Sequence, residues 1–350
     1  MTLRVGVLTG GGDAPGLNAA ICGLARRLLA SGASLLGFED GWRGLIEDRT
    51  RALQDENFQH LLVYGGTLLG SSGANPYRDP AAMVPKVLAT LRRHQLDALV
   101  AIGGEGTLGA ADRLFAEHGV PVVGVPKTID NDLDGTDFTF GFFSAVEVAT
   151  RAMDDLRSTA ESHGRVMVVE CMGRHAGWIT AYAGVAAGAE AVLVPERPTS
   201  IEDLCADLDR LRRSGARSAI VAAAEGARVF EGGACLSSLE KDEFGEYRTG
   251  GVAATVAARI QSRLGWEARA LVLGHLQRAG RPIAFDRLFA LRLGARAARL
   301  VLEGKFGYMA AMRAGEIVEV PLRAAVAARK TLPDQFLDRY GAFFMPMGGP

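Results

Sequence analysis

Cysteine is scarce in this chain of 350 residues: Cys22, Cys171, Cys205 and Cys235 are its four thiols, and no two make a C-x-x-C pair. That argues against a zinc or redox site and against a disulfide framework, and predicts reduced thiols in a cytoplasmic protein. Long apolar runs are missing too. Nothing approaches the ~18 residues of a membrane span, and Met1–Leu8 lacks the apolar core and cleavage site of a secretory leader, so no membrane partner is expected. Charge of one sign does not dominate: 39 Lys+Arg against 40 Asp+Glu leaves −1. Without a basic block there is no footprint for nucleic acid. Only 13 prolines accompany the 44 glycines, which excludes collagen-like and Pro-rich low-complexity chains. What is abundant is glycine itself, about 13% against a usual ~7%, in a chain that is 48% hydrophobic. The composition predicts a sizeable core linked by many tight turns. The length predicts roughly two domains.

Short apolar runs recur at Arg4–Leu8, Ala98–Ile102, Val120–Val125, Arg165–Val169, Ala191–Val194, Ala219–Ala223 and Ala270–Leu273. Continuous rather than alternating apolarity predicts parallel strands covered on both faces. Helix-length stretches separate them: Leu17–Ala30, Pro80–His94, Leu108–His118, Ile201–Arg213 and Gly251–Leu264. The β-α alternation predicts an α/β fold with doubly wound parallel sheets, whose ligands sit outside the carboxyl ends of the strands. No polar linker marks a domain boundary. The Gly304–Tyr308 stretch and the tail Phe343–Pro350 are weak signals, the last residues being candidates for disorder.

The segments that follow the strands carry the chemistry. Gly10-Gly11-Gly12 follows the first strand and is expected to open a helix, where bare backbone N–H groups can approach a phosphate; a plain strand-to-helix turn is the alternative. Pro15 and the absence of G-K-[ST] exclude a clean Rossmann or Walker A fingerprint. Gly103-Gly104-Glu105-Gly106-Thr107 is a second such loop, whose acid could hold Mg²⁺ against phosphate oxygens or be a solvated carboxylate. Thr128-Ile129-Asp130-Asn131-Asp132 sets two carboxylates two residues apart, either compensated by a cation or forming an Asx-rich turn. Arg165, Arg174, Arg269 and Arg278 suit phosphate recognition, or else surface ion pairs. His275 could contact a phosphate or a sugar hydroxyl, or be a satisfied core histidine.

Taken in order, Thr9–Asn18, the Gly-Gly-Glu-Gly-Thr loop, Pro126–Asp132, Met172-Gly173-Arg174 and Gly274–Gly280 followed by Asp286-Arg287 resemble the 6-phosphofructokinase family over roughly residues 3–300. The resemblance implies two similar α/β lobes with mainly parallel sheets sandwiched by helices, residues 1–141 plus 278–330 for the nucleotide phosphates and 142–277 plus 331–350 for the sugar phosphate. It implies transfer of the γ-phosphoryl of ATP to the 1-hydroxyl of D-fructose 6-phosphate with Mg²⁺, in a homotetramer or homodimer. By motif, Gly12, Gly103, Gly104, Gly106 and Thr107 would cradle the nucleotide phosphates and Glu105 would bind Mg²⁺. Asp130 would be the general base with Thr128 beside it. Arg174, Met172 and Gly173 would face the sugar and the transferring group, and Glu225 would accept a sugar hydroxyl. His275 and Arg278 would hold the 6-phosphate, completed by Arg165 and Arg269 of a neighbouring subunit.

The family's donor signature is mixed here. Gly106 matches ATP users and Lys127 matches pyrophosphate users. Gly106 leaves room for an α-phosphate, so ATP is the expected donor, with Trp42 as an adenine neighbour and pyrophosphate as the alternative. Gly73 stands where the family usually has an arginine, which predicts reduced transition-state stabilisation unless Arg78 or Lys127 substitutes. Cys22 occupies a position that in allosteric members carries an effector-binding arginine, although Arg26 remains, so regulation of that type is expected to be weak. The rivals are a sugar-phosphate sensor without turnover and, disfavoured by Pro15, a Rossmann dehydrogenase.

Overall fold

The computed structural model describes residues 2–54, 56–236 and 251–344; the tail residues 345–350 lie outside them. The chain divides into two compact units. One comprises Met1–Ile129, Leu133–Ser144 and Arg278–Arg329, the other Asp130–Asp132, Ala145–Gln277 and Lys330–Pro350.

In the first unit, β1 (Arg4–Thr9), β2 (Ser34–Phe38), β3 (Thr50–Ala52), β4 (Ala98–Gly103) and β5 (Val122–Pro126) join a later hairpin, β13 (Tyr308–Arg313) and β14 (Glu316–Pro321). The sheet order is β14-β13-β5-β4-β1-β2-β3. Its inner strands run parallel, β1 pairing with both β2 and β4, β4 with β5 and β5 with β13. Both edges are antiparallel. Helices α1 (Leu17–Ala30), α2 (Trp42–Glu47), α3 (Phe58–Leu61), α4 (Pro80–Arg93), α5 (Glu105–His118) and α10 (Ala284–Leu302) accompany it. Two apolar clusters build the core: one holds Val5, Val7, Leu17 and Leu293, the other Leu8, Leu99, Leu108 and Leu114. Alternate residues of β1 and β4 serve the two clusters, which is why these strands read as unbroken apolar runs. Helices α1 and α10 pack with backbones close together. A Cβ on Gly294 would overlap the Ala20 carbonyl, and one on Gly23 the Leu291 carbonyl.

The second unit has a parallel sheet in the order β12-β6-β9-β7, built from β6 (Val166–Cys171), β7 (Ala191–Leu193), β9 (Ala219–Ala224) and β12 (Ala268–Val272), with a small sheet of β8 (Thr199–Ser200), β10 (Val229–Glu231) and β11 (Ala234–Cys235). Helices α7 (Trp178–Ala186), α8 (Ile201–Arg213) and α9 (Val252–Leu264) flank it, and α6 (Phe142–His163) carries the chain into it. Its cluster joins Val166, Val168 and Val221 of the strands to Leu204 and Leu208 of α8 and Val256 and Ile260 of α9.

Each apolar run read from the sequence is a strand, within a few residues at its ends. Helix α5 starts at Glu105, three residues before the expected Leu108, because Gly104 is extended and serves as its N-cap. Conversely, Gly10-Gly11-Gly12 does not open a helix. Helix α1 starts only at Leu17, after Pro15 and Gly16, whose φ is 111°. Proline and a left-handed glycine delay the first turn.

Candidate active site

In the first unit, the strand order reverses between β1 and β4, and the crevice beyond the carboxyl ends of strands at such a point is where α/β sheets bind ligands. Gly10 N–H donates to Ile102 O (2.9 Å), so the two glycine loops leave the sheet side by side. Thr107, expected among the phosphate contacts, is 5% exposed; a Cβ on either Gly10 or Gly103 would collide with it. Its side chain therefore wedges the two loops together, and those two glycines are required by packing. Gly12 and Gly106 are exposed. No atom lies within 4 Å of a Cβ built on Gly106, so that side of the loop is open.

Charge gathers on this crevice. The Lys127 ammonium donates to the Gly12 carbonyl, although Lys127 is only 3% exposed. Arg278, expected beside His275, belongs to this unit, and its guanidinium donates to Asp13 O at 3.1 Å. Glu105 occupies the first turn of α5, where the helix dipole favours a carboxylate, and it is paired with Arg329 at 3.0 Å. Nothing in the sequence marked Arg329, which follows the alanine-rich segment 324–328 and lies outside every motif read from the chain. Gly73 is exposed with nothing within 4 Å of a built Cβ, and Arg78 is an exposed residue of a short 3₁₀ turn, Pro76–Arg78. Trp42 is no adenine neighbour. It is fully buried with Leu8 and Phe38 in the core, as an apolar residue opening a helix behind the sheet should be. Cys22 is likewise buried, and burial raises its thiol pKa.

The connection after β5 carries Thr128, whose carbonyl accepts from Thr139 Oγ1 at 2.6 Å. Asp130 is half-buried, with Oδ1 shielded from solvent. Asn131 takes a left-handed conformation, φ 53°, which asparagine tolerates better than most residues. Lys330 steadies it, donating from Nζ to Asn131 Oδ1 at 3.0 Å and from its backbone to Asp132 O at 2.9 Å.

The second unit gathers another set at the carboxyl ends of β6, β9 and β12. Gly173 has φ 133°. Gly226 packs so tightly that a Cβ would overlap the Arg174 carbonyl, and Glu225 N–H donates to Cys171 O at 2.8 Å. Buried Gln277 accepts from Met172 N–H at 3.2 Å and donates to Gly274 O at 3.1 Å, tying the Met172–Arg174 loop to the turn that bears His275. Buried Glu170 accepts from Gly251 and Ala253 N–H groups, capping α9. Burial pushes the neighbouring Cys171 thiol up to about 12, so it is no nucleophile at neutral pH. Arg165 and Arg269 are not in this set. Both pair with Glu267, at 3.0 and 2.6 Å, at the opposite end of β6 and β12, roughly 20 Å along the strand from Met172.

No group of three His, Cys, Asp or Glu among the described residues could hold a metal by itself. A lone exposed carboxylate beside a phosphate loop does fit Mg²⁺, which keeps waters and binds through one or two carboxylates plus substrate phosphates.

The chain is 51% identical to the pyrophosphate--fructose 6-phosphate 1-phosphotransferase of Amycolatopsis methanolica, over 98% of this chain and all of that one. It is 47% identical to the ATP-dependent 6-phosphofructokinase of Mycobacterium leprae, over the same shares. Among solved structures, Pichia pastoris phosphofructokinase in the T-state aligns with a TM-score of 0.81 and 32% identity, over 93% of this chain and 36% of that longer one. The phosphofructokinase family model matches residues 4–301, and the chain belongs to that family.

Proposed function

We propose that this protein transfers the γ-phosphoryl group of ATP, brought in with Mg²⁺, to the 1-hydroxyl of D-fructose 6-phosphate. The observation that carries the reading is the switch-point crevice of the first unit, where two glycine loops, Lys127, Arg278 and Glu105 converge. Phosphoryl transfer needs alignment and charge neutralisation more than covalent help, and that crevice offers amides, cations and one metal-binding acid. Gly12, Gly103, Gly104 and Gly106 line the donor phosphates, with Thr107 spacing them, and Glu105 holds the metal that the donor carries. That metal supplies charge neutralisation on the phosphates. Asp130 takes the proton of the 1-hydroxyl as its oxygen bonds to the γ-phosphorus and the bond to the β–γ bridging oxygen breaks. Thr128 positions Asp130. Arg174, Met172 and Gly173 face the sugar and the moving group, Glu225 accepts a sugar hydroxyl, and His275 with Arg278 holds the 6-phosphate.

Residues 1–141 plus 278–330 then serve the donor and 142–277 plus 331–350 the sugar phosphate. Arg165 and Arg269 complete the 6-phosphate site of a neighbouring subunit in a cytoplasmic homotetramer or homodimer. Their distance from Met172 supports this, as do Val272, at the end of the edge strand that carries Arg269, and Leu276, in the turn after it, 55% and 64% exposed, which suit cover by a second copy. Pyrophosphate is the second reading. It is favoured by Lys127 at the glycine loop, whereas the open space at Gly106 favours the bulkier nucleotide. Initial rates with purified protein, fructose 6-phosphate and each donor decide between them. Turnover with neither, alongside retained sugar-phosphate binding, would make the protein a sensor instead.

A further inference from the structure

The side chain paired with the proposed metal-binding acid is one that no sequence motif contains. Arg329 directs Nε and Nη2 at the same Glu105 oxygen, at 3.3 and 3.0 Å. Its position is fixed from behind: an antiparallel bridge joins it to Leu133, directly after the Asp130–Asp132 loop. The next residue, Lys330, is bonded to Asn131 and Asp132. Two consecutive cations thus sit on the two acid-bearing segments of the chain. The Arg329–Glu105 pair is 42% and 46% exposed, and ion pairs so wetted add little to folding stability. Such a pair is cheap to open. Were Glu105 to turn to a metal, the guanidinium would be left free to meet an arriving anion, and its planar fork would match phosphate oxygens.

We propose that Arg329 is a donor-binding residue: it pairs with Glu105 before the donor binds and transfers its hydrogen bonds to the donor phosphate when the metal-bound donor arrives. It thereby brings to the crevice a positive charge that Gly73 cannot. This rests on the phosphotransferase reading above. The test is binding rather than turnover. Calorimetry on the full chain measures the affinity of the β,γ-imido analogue of ATP with Mg²⁺, and of imidodiphosphate as the shorter probe, for wild type, Arg329→Ala, Arg329→Lys, Glu105→Gln and the Glu105→Gln/Arg329→Ala double variant. Arg329→Ala is expected to weaken the analogue that wild type binds better by at least fivefold, both in wild type and on the Glu105→Gln background. Fructose 6-phosphate affinity and thermal midpoint should hold, and lysine should recover part of the loss. An unchanged affinity, within twofold, would make Arg329 a surface ion-pair partner and overturn the proposal. A loss that vanishes on the Glu105→Gln background overturns it as well, since Arg329 would then act only through Glu105. Wild type binding neither analogue would instead refute the phosphotransferase reading, and this inference with it.

Discussion

Asp130 and Gly106 carry the two sharpest expectations for single residues. Asp130→Ser removes the proposed acceptor of the hydroxyl proton but leaves the anion-binding side chains in place. Steady-state kinetics should therefore show kcat lowered by a factor on the order of 10² or more, with KM for fructose 6-phosphate changed only a few-fold. Undiminished kcat would take Asp130 out of the mechanism. Gly106→Asp puts a carboxylate into the open side of the donor loop, where no atom lies within 4 Å of the new Cβ, so the fold should tolerate it. Its charge would repel an α-phosphate, and the ratio of kcat/KM for ATP to that for pyrophosphate should fall at least tenfold; a constant ratio would show that position 106 does not select the donor. The family resemblance proposed both residues; read locally, they were part of an Asx-rich turn and of a glycine loop. The sequence reading misplaced Trp42, since an indole's value to a nucleotide and to a core is the same apolar surface, and only packing shows which it serves.

Close approach and edge pairing govern the elements. Gly294→Ala would force α10 away from the Ala20 carbonyl of α1. A clash with backbone cannot be relieved by a rotamer change, so the variant should lose about 3 kcal/mol, read as a lower denaturant midpoint. The β13–β14 hairpin is tied to α10 and its following turn by Glu319, which accepts from Arg296 and Lys305. Those cations hold the Glu319 carboxyl below its ordinary value. A depressed folded pKa means stabilisation that is present above the unfolded value of about 4.3 and lost as pH falls through the folded one. Glu319→Gln should accordingly unfold a few degrees earlier than wild type at pH 7, and the gap should close below about pH 4; a gap that persists in acid would assign the loss to packing. The hairpin escaped the sequence reading because Glu316 and Glu319 interrupt β14 and because β13, rich in Met and Ala, has none of the β-branched residues that mark a strand. The start of α5 was misread because its first turn, Glu105-Gly106-Thr107, has the composition of a loop.

For the whole molecule, the separation of Arg165 and Arg269 from Met172 predicts sites shared between copies. Chains carrying Asp130→Ser and chains carrying Arg269→Ala, each nearly inactive alone, should regain activity when co-assembled. Random pairing leaves about a quarter of the sites with both groups intact. No recovery in verified mixed oligomers would return each site to a single chain.

The sequence by itself determined the α/β class, the places along the chain of seven parallel strands and the residue types that follow them, because buried parallel strands impose continuous apolarity and the tight turns at their ends impose glycine. Only the tertiary structure decided which glycines serve packing around Thr107, that Trp42 belongs to the core, that Arg278 lies on the glycine loop and that Arg329 meets Glu105. Those are contacts across large sequence separations, and no local pattern encodes them.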